Sequence, residues 1–222
     1  MAQSPRSDGV GSTPRTRVRR LPEKTVRDRA VLHAVLDAGR VAHLAVSDEH
    51  GQPYVVPVAY ARDGDRVLFH GSTGSRLFRA LNAGAPTCLT VTLVHGLVAA
   101  RSAFESSLHY RSVMVLGRAE QVRGPARLEA LRVLTEHLLP GRWDELRAPH
   151  RRELAATMVL ALPLDEASVK IGDGPPTDDP ADVSARVWAG TVPLLEVLGT
   201  PVDAPDLPAG LPVPDYVAGW GK

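Results

Sequence analysis

The feature that most restricts this chain is a pair of closely spaced turns. Asp48-Glu49-His50-Gly51 separates the run Val41–Ser47 from residues 53–61, and Asp63-Gly64 separates that run from residues 66–70. The runs are rich in apolar and β-branched residues, and Asp-Gly is a preferred hairpin turn. Three strands joined by two short turns predict an antiparallel meander, because parallel neighbours need a long crossover.

Residues 87–94, 97–104 and 110–122 and Thr157–Pro163 read as further strands, with a turn expected at His95-Gly96. Helices are few. Thr25 and Asp28 resemble a capping box ahead of Val26, Leu32, Val35 and Leu36 on one face, and Gly39 supplies a stop. A short helix is expected over Arg76–Asn82. Another is expected over 125–139, where Leu128, Leu131, Leu134 and Leu138 make a stripe. The pattern predicts a mainly β fold with α: a β-barrel, as a six- to seven-stranded antiparallel split barrel with peripheral helices.

Three segments are expected. Residues 1–22 carry five arginines against Asp8 and read as a disordered basic arm; residues 23–170 hold the barrel. Residues 171–222 hold nine prolines and clustered acids, and are expected to wrap the barrel or a dimer.

Composition excludes several classes. The 222 residues carry 26 basic and 25 acidic side chains, so no strong field favours a polyanion, and nucleic acid is not an expected partner. Cys88 is alone, and no apolar run is long enough to span a membrane. A cytoplasmic protein without a membrane partner is expected. The basic residues are 23 Arg and three Lys, which codon usage explains for most positions. The eight histidines lack zinc-site spacing, so no metal site is expected.

The most informative motif is His70-Gly71-Ser72-Thr73-Gly74-Ser75-Arg76, where a strand ends and a helix begins. Uncapped amides, hydroxyls and an arginine there suit a phosphate; a Gly/Ser turn that merely caps a helix would look the same. Before it, Pro53-Tyr54-Val55-Val56-Pro57-Val58-Ala59-Tyr60 has two prolines, which points to an edge or bulged strand. Its unpaired groups could bind a heterocycle or simply protect an edge. Glu105, His109 and Tyr110 lie in a polar stretch and could exchange protons.

Val55-Val56-Pro57-Val58-Ala59-Tyr60, Leu68-Phe69-His70-Gly71-Ser72, Ser75-Arg76, Ala100-Arg101-Ser102-Ala103-Phe104 and Tyr110-Arg111-Ser112-Val113 follow one another in a familiar order. In this the chain resembles the flavin-nucleotide-binding branch of the pyridoxamine 5′-phosphate oxidase-like proteins, which includes the nitroimidazole-reductase type. The resemblance implies an FMN split barrel, a homodimer, and flavin sites at the subunit interface. It implies that Val56, Pro57, Val58 and Ala59 line the ring system and that Ser72, Ser75 and Arg76 take the phosphate. Arg101, Arg111 and Ser112 would join them from neighbouring strands or the partner. His70 and Tyr110 are the implied catalytic groups.

Relatives have a His-His pair where Glu105-Ser106 stand here, and Asn at His109. The expected function is an FMN-dependent oxidoreductase acting on a small organic substrate. The alternatives are a non-catalytic flavin carrier or redox sensor, and, less favoured, a haem-binding or haem-degrading protein.

Overall fold

The computed structural model describes residues 9–220. In chain order the elements are β1 (Thr25–Val26), α1 (Arg29–Ala38), β2 (Val41–Ser47), β3 (Pro53–Asp63), β4 (Arg66–Ser72) and α2 (Arg76–Asn82). Then come β5 (Pro86–Ala99), β6 (Ser107–Arg118), β7 (Glu120–Gln121), α3 (Pro125–Leu138), α4 (Arg151–Ala156), β8 (Thr157–Pro163), β9 (Glu166–Gly172), β10 (Gly190–Pro193) and α5 (Asp215–Gly219).

The expected meander forms β2, β3 and β4. The barrel does not. Ten strands make one antiparallel sheet in the order β1-β9-β6-β5-β2-β3-β4-β8-β7, with β10 added on β5. The ends of that path, β1 and β7, are two residues long and pair only inward, with β9 and β8. No ladder joins them, so the expected six- to seven-stranded split barrel is corrected to an open sheet in a mixed α/β fold. Closure is a property of which end strands pair, and strand count cannot reveal it.

Alternation along the strands explains the packing. On β2, Ala42, Leu44 and Val46 are buried while Val41, His43 and Ser47 face solvent. The buried face joins Leu89 and Val91 of β5, Val113 and Val115 of β6, Phe69 of β4 and Leu160 of β8 in one core with α1 and α2. Tyr60 is fully buried there, and its hydroxyl donates to the Leu36 carbonyl at 2.6 Å, which satisfies the polar end. Burial and the Asp37 carboxylate push its phenol well above the usual tyrosine range. A smaller cluster lies under α3, where Ala130 and Leu134 cover Leu68, Val159 and Ala161.

Two local expectations change. The helix α1 is capped by Asp28, whose carboxylate accepts from the Ala30 amide at 2.8 Å, rather than by Thr25. His95-Gly96 is a bulge inside one long strand, not a turn; the hairpin reverses after Ala99.

Of the expected basic arm, residues 1–8 lie outside the described residues. Beyond them, the Gly11 amide donates to the Ala167 carbonyl at 2.7 Å, and Thr13 and Arg15 bond the Glu166 carboxylate. In the C-terminal segment, β10 pairs with β5.

Candidate functional site

The main site arises from a parting of strands. β3 pairs with β2 from Pro53 to Ala59, but with β4 only from Tyr60 to Asp63. Continuing that register would put Ala59 opposite His70 and Pro57 opposite Ser72, yet those residues of β4 pair only with β8. The two strands part there, and the first half of β3 has an unpaired edge on that side, the candidate cleft. Pro57 has no amide to leave unsatisfied there. The proline-bearing strand is thus central in the sheet but has one free edge over half its length.

The opposite wall is the end of β4 and the start of α2. Gly71 is required by close approach: a Cβ would stand 2.3 Å from the Phe78 ring, so only glycine lets α2 pack against β4. Phe78 in turn meets Phe69 edge-on at 6.0 Å. The turn is held by Ser72, whose hydroxyl accepts from the Gly74 amide at 3.1 Å and whose carbonyl accepts from the Ser75 amide at 3.0 Å. Ser75 is the N-cap of α2, but its hydroxyl caps no amide. The first turn of α2 therefore keeps amide donors free for an anion. Arg76 is exposed and makes no ion pair among the described residues, although nine other arginines do. His70 is exposed at this mouth, yet nearby protein atoms partly desolvate its ring and lower its pKa.

Val56, Pro57, Val58 and Ala59 thus lie on the unpaired half of β3, and His70, Ser72, Ser75 and Arg76 on the end of β4 and the start of α2. The structure does not bring Arg101, Tyr110, Arg111 and Ser112 to that cleft within one chain. Tyr110, Arg111 and Ser112 lie on β6, separated from β3 by β5 and β2. Ser112 borders a shallow groove of about 290 Å³ on the open sheet face with Thr90, Thr92 and Lys170. Arg101 is tied to the C-terminal segment: its amide and Nη1 donate to Asp178 at 2.5 and 2.6 Å. The Asp178 side chain is 3% exposed. The Arg101 amide, and then its guanidinium, hold that carboxyl below the usual range.

A second group of polar residues was not assembled by sequence reasoning. A cavity of about 490 Å³ at the end of the β5–β6 hairpin is bordered by Leu21, Val98, Phe104 and Leu108, by Arg20 and Lys24, by Glu23, Glu105 and Asp173, and by His109. His109 Nε2 bonds the Gly174 carbonyl at 2.7 Å, and its ring lies 5.9 Å from that of His95, whose Nδ1 is buried without a partner. Its walls come from three distant segments, so no local motif announces it. Among the described residues no cluster of three metal-ligating side chains occurs, and no helix is long and apolar enough to cross a membrane.

Residues 28–171 match the family described as pyridoxamine 5′-phosphate oxidase. The chain belongs to that family. Among solved structures it is similar to one described as the FAD and haem binding protein from Mycobacterium smegmatis. The identity is 43%, over 88% of this chain and 96% of that one, with a TM-score of 0.85. It is also similar to the flavocytochrome Anf3 from Azotobacter vinelandii, at 39% identity over 95% and 97% of the chains, TM-score 0.88. A 5-nitroimidazole antibiotic resistance protein from Bacteroides thetaiotaomicron shares 19% identity over 66% of this chain and 86% of that one, TM-score 0.56, which shows the fold alone. No curated protein matches the chain significantly.

These likenesses correct the placement in the nitroimidazole-reductase branch. The nitroimidazole resistance protein is 19% identical over 66% of this chain, whereas the other two are 43% and 39% identical over 88% and 95% of it. They correct, too, the expectation of an FMN oxidoreductase acting on a small organic substrate. The less favoured haem-binding alternative agrees better with such relatives.

Proposed function

We propose that this chain is a flavin- and haem-binding redox protein, and that its flavin is FAD. The observation that carries the reading is the parting of β3 from β4, which leaves an unpaired strand edge facing a helix start with an uncommitted arginine. Each wall suits one part of a flavin nucleotide. The edge of β3 at Val56, Pro57, Val58 and Ala59 offers alternating donors and acceptors to the rim of a heterocycle. Ser72, Ser75, Arg76 and the free amides of α2 suit phosphate. His70, with its lowered pKa, stays neutral at the mouth and can donate or accept a hydrogen bond beside the ring.

The cavity at the hairpin end is where haem would sit in this reading. His109 would hold the iron through Nδ1, because its Nε2 is bonded to the Gly174 carbonyl. Arg20 and Lys24 would face the haem carboxylates, away from Glu23, Glu105 and Asp173 on the same lining, and Leu21, Val98, Phe104 and Leu108 would meet its apolar faces. A flavin exchanges electrons singly or in pairs and haem singly, so the two together supply electron transfer, while the protein binds and orients them. FAD is preferred to FMN because the relative at 43% identity is described as binding FAD. Self-association belongs to the same reading, because the sheet face bearing Val41, His43, Val55 and Pro57 is open to solvent.

The absorbance of protein purified from a haem-replete host tests this. Flavin bands together with a Soret band are expected, and heating should release FAD. A protein that takes up flavin but never haem would sink the haem half, and released FMN would sink the choice of FAD.

A further inference from the structure

We propose that residues 183–213 form an arm that clasps a second copy of this chain. The proposal rests on the self-association just described and goes beyond it by naming the segment responsible.

Surface area is the first argument. The chain exposes 14531 Å², whereas a compact monomer of 23.8 kDa exposes about 9,900 Å². The ten residues outside the described range could contribute at most about 1,600 Å² of that excess. About 3,000 Å² is left, more than the roughly 1,000–2,500 Å² that each copy of an obligate dimer covers.

The excess is concentrated and apolar. Of 22 exposed large hydrophobic side chains, twelve fall within residues 183–213, including Leu195 at 83%, Val197 at 79% and Val202 at 93% exposure. Monomers do not hold such a density of apolar side chains in water without a use for it.

The arm is also held in place at β10, within it, and by the residues that follow it. β10 is hydrogen-bonded to β5. Past the arm, the Tyr216 hydroxyl donates to Glu145 at 2.6 Å and accepts from Arg142 at 3.0 Å, and Trp220 Nε1 donates to the Pro140 carbonyl at 2.9 Å. A span fixed at two places loses less freedom on docking than a loose one.

Charge selects the partner. Within residues 183–213, Glu196, Asp203 and Asp206 stand against Arg186, a net −2, whereas residues 1–170 carry +7. The body of another copy therefore complements the segment, and its open sheet face offers the exposed apolar Val41 and Val55. Two-fold symmetry lets each copy give one arm and receive one.

Sedimentation velocity of the full-length protein tests the arm, comparing wild type with the double variant Leu195→Asp, Val202→Asp. Wild type should sediment as a dimer of about 48 kDa, twice the chain mass. The variant should dissociate with a constant raised at least about thirtyfold. Its unchanged thermal unfolding at a concentration where both are monomeric would confirm that it folds. A variant that dimerises as tightly as wild type would overturn the arm and leave self-association standing. A wild-type monomer at tens of micromolar would overturn both, even if the arm then bound a different macromolecule. Flavin and Soret absorbance on the same samples reports the cofactor reading separately.

Discussion

The cleft between β3 and β4 and the end of the β5–β6 hairpin both collect arginine, imidazole and hydroxyl groups, but they hold them differently. In the cleft, Arg76 makes no ion pair and Ser75 caps nothing, so both stay available to a ligand. At the hairpin end, Arg101 is bound to Asp178 and His109 to the Gly174 carbonyl, both in the C-terminal segment. The first region is built by strands and a helix next to each other in sequence. The second exists only because a distant segment returns to close it. Residue type alone thus says little about availability; the partner that the fold supplies decides it. A cleft of the first kind binds through groups already free, while a site of the second kind depends on a strap that can loosen.

The largest change expected from a single substitution is at Gly71. Gly71→Ala drives a methyl group into the Phe78 ring, so it should cost about 1–3 kcal/mol of stability by overpacking. It should also weaken flavin binding, because α2 must move away from β4. Chemical unfolding and a flavin titration measure the two effects. Unchanged values for both would mean that the cleft does not depend on that close contact, and the contrast between the regions would blur.

Asp178→Asn probes the other region. Amide exchange around Arg101 and Gly174 should accelerate roughly tenfold, the scale of one charge-assisted hydrogen bond, while exchange in α2 stays unchanged. A pH series sharpens the assignment. The Asp178 carboxyl is held below its ordinary 3.8, so its contribution is complete above that value and is lost as pH falls through the folded-state pKa. Wild type should lose protection there on acidification, and the variant should show no such step. A step that persists in the variant would assign it to another carboxylate.

The smallest effect is expected at Ser75. Ser75→Ala removes a hydroxyl that caps no amide, so stability should change little, while flavin should bind more weakly by about 0.5–1.5 kcal/mol, one neutral hydrogen bond. A loss of stability with unchanged affinity would make Ser75 an ordinary cap and remove it from the site.

Much of the first region was legible in the sequence, because its parts are local. The Asp63-Gly64 turn, the prolines of β3 and the Ser-Arg helix start are contiguous signals, and β3, β4 and α2 form where they predict. Less of the second was legible. His95-Gly96 resembles a turn, and only pairing with β6 makes it a bulge. Gly190–Pro193 is too short to read as a strand without its partner β5. The barrel failed for a related reason: two-residue end strands carry no sequence signal for what they do not pair with. The Arg101–Asp178 pair spans 77 residues and has no local mark.

The central claim is that one chain holds two cofactors in two separate places. Parallel titrations of Arg76→Ala and His109→Ala with FAD and with haemin test it most directly. Arg76→Ala should weaken FAD roughly ten- to a hundredfold, the worth of a charged hydrogen bond, and leave the Soret band intact. His109→Ala should abolish the Soret band and leave FAD affinity unchanged. Loss of both cofactors in either variant, or of neither in both, would contradict the account.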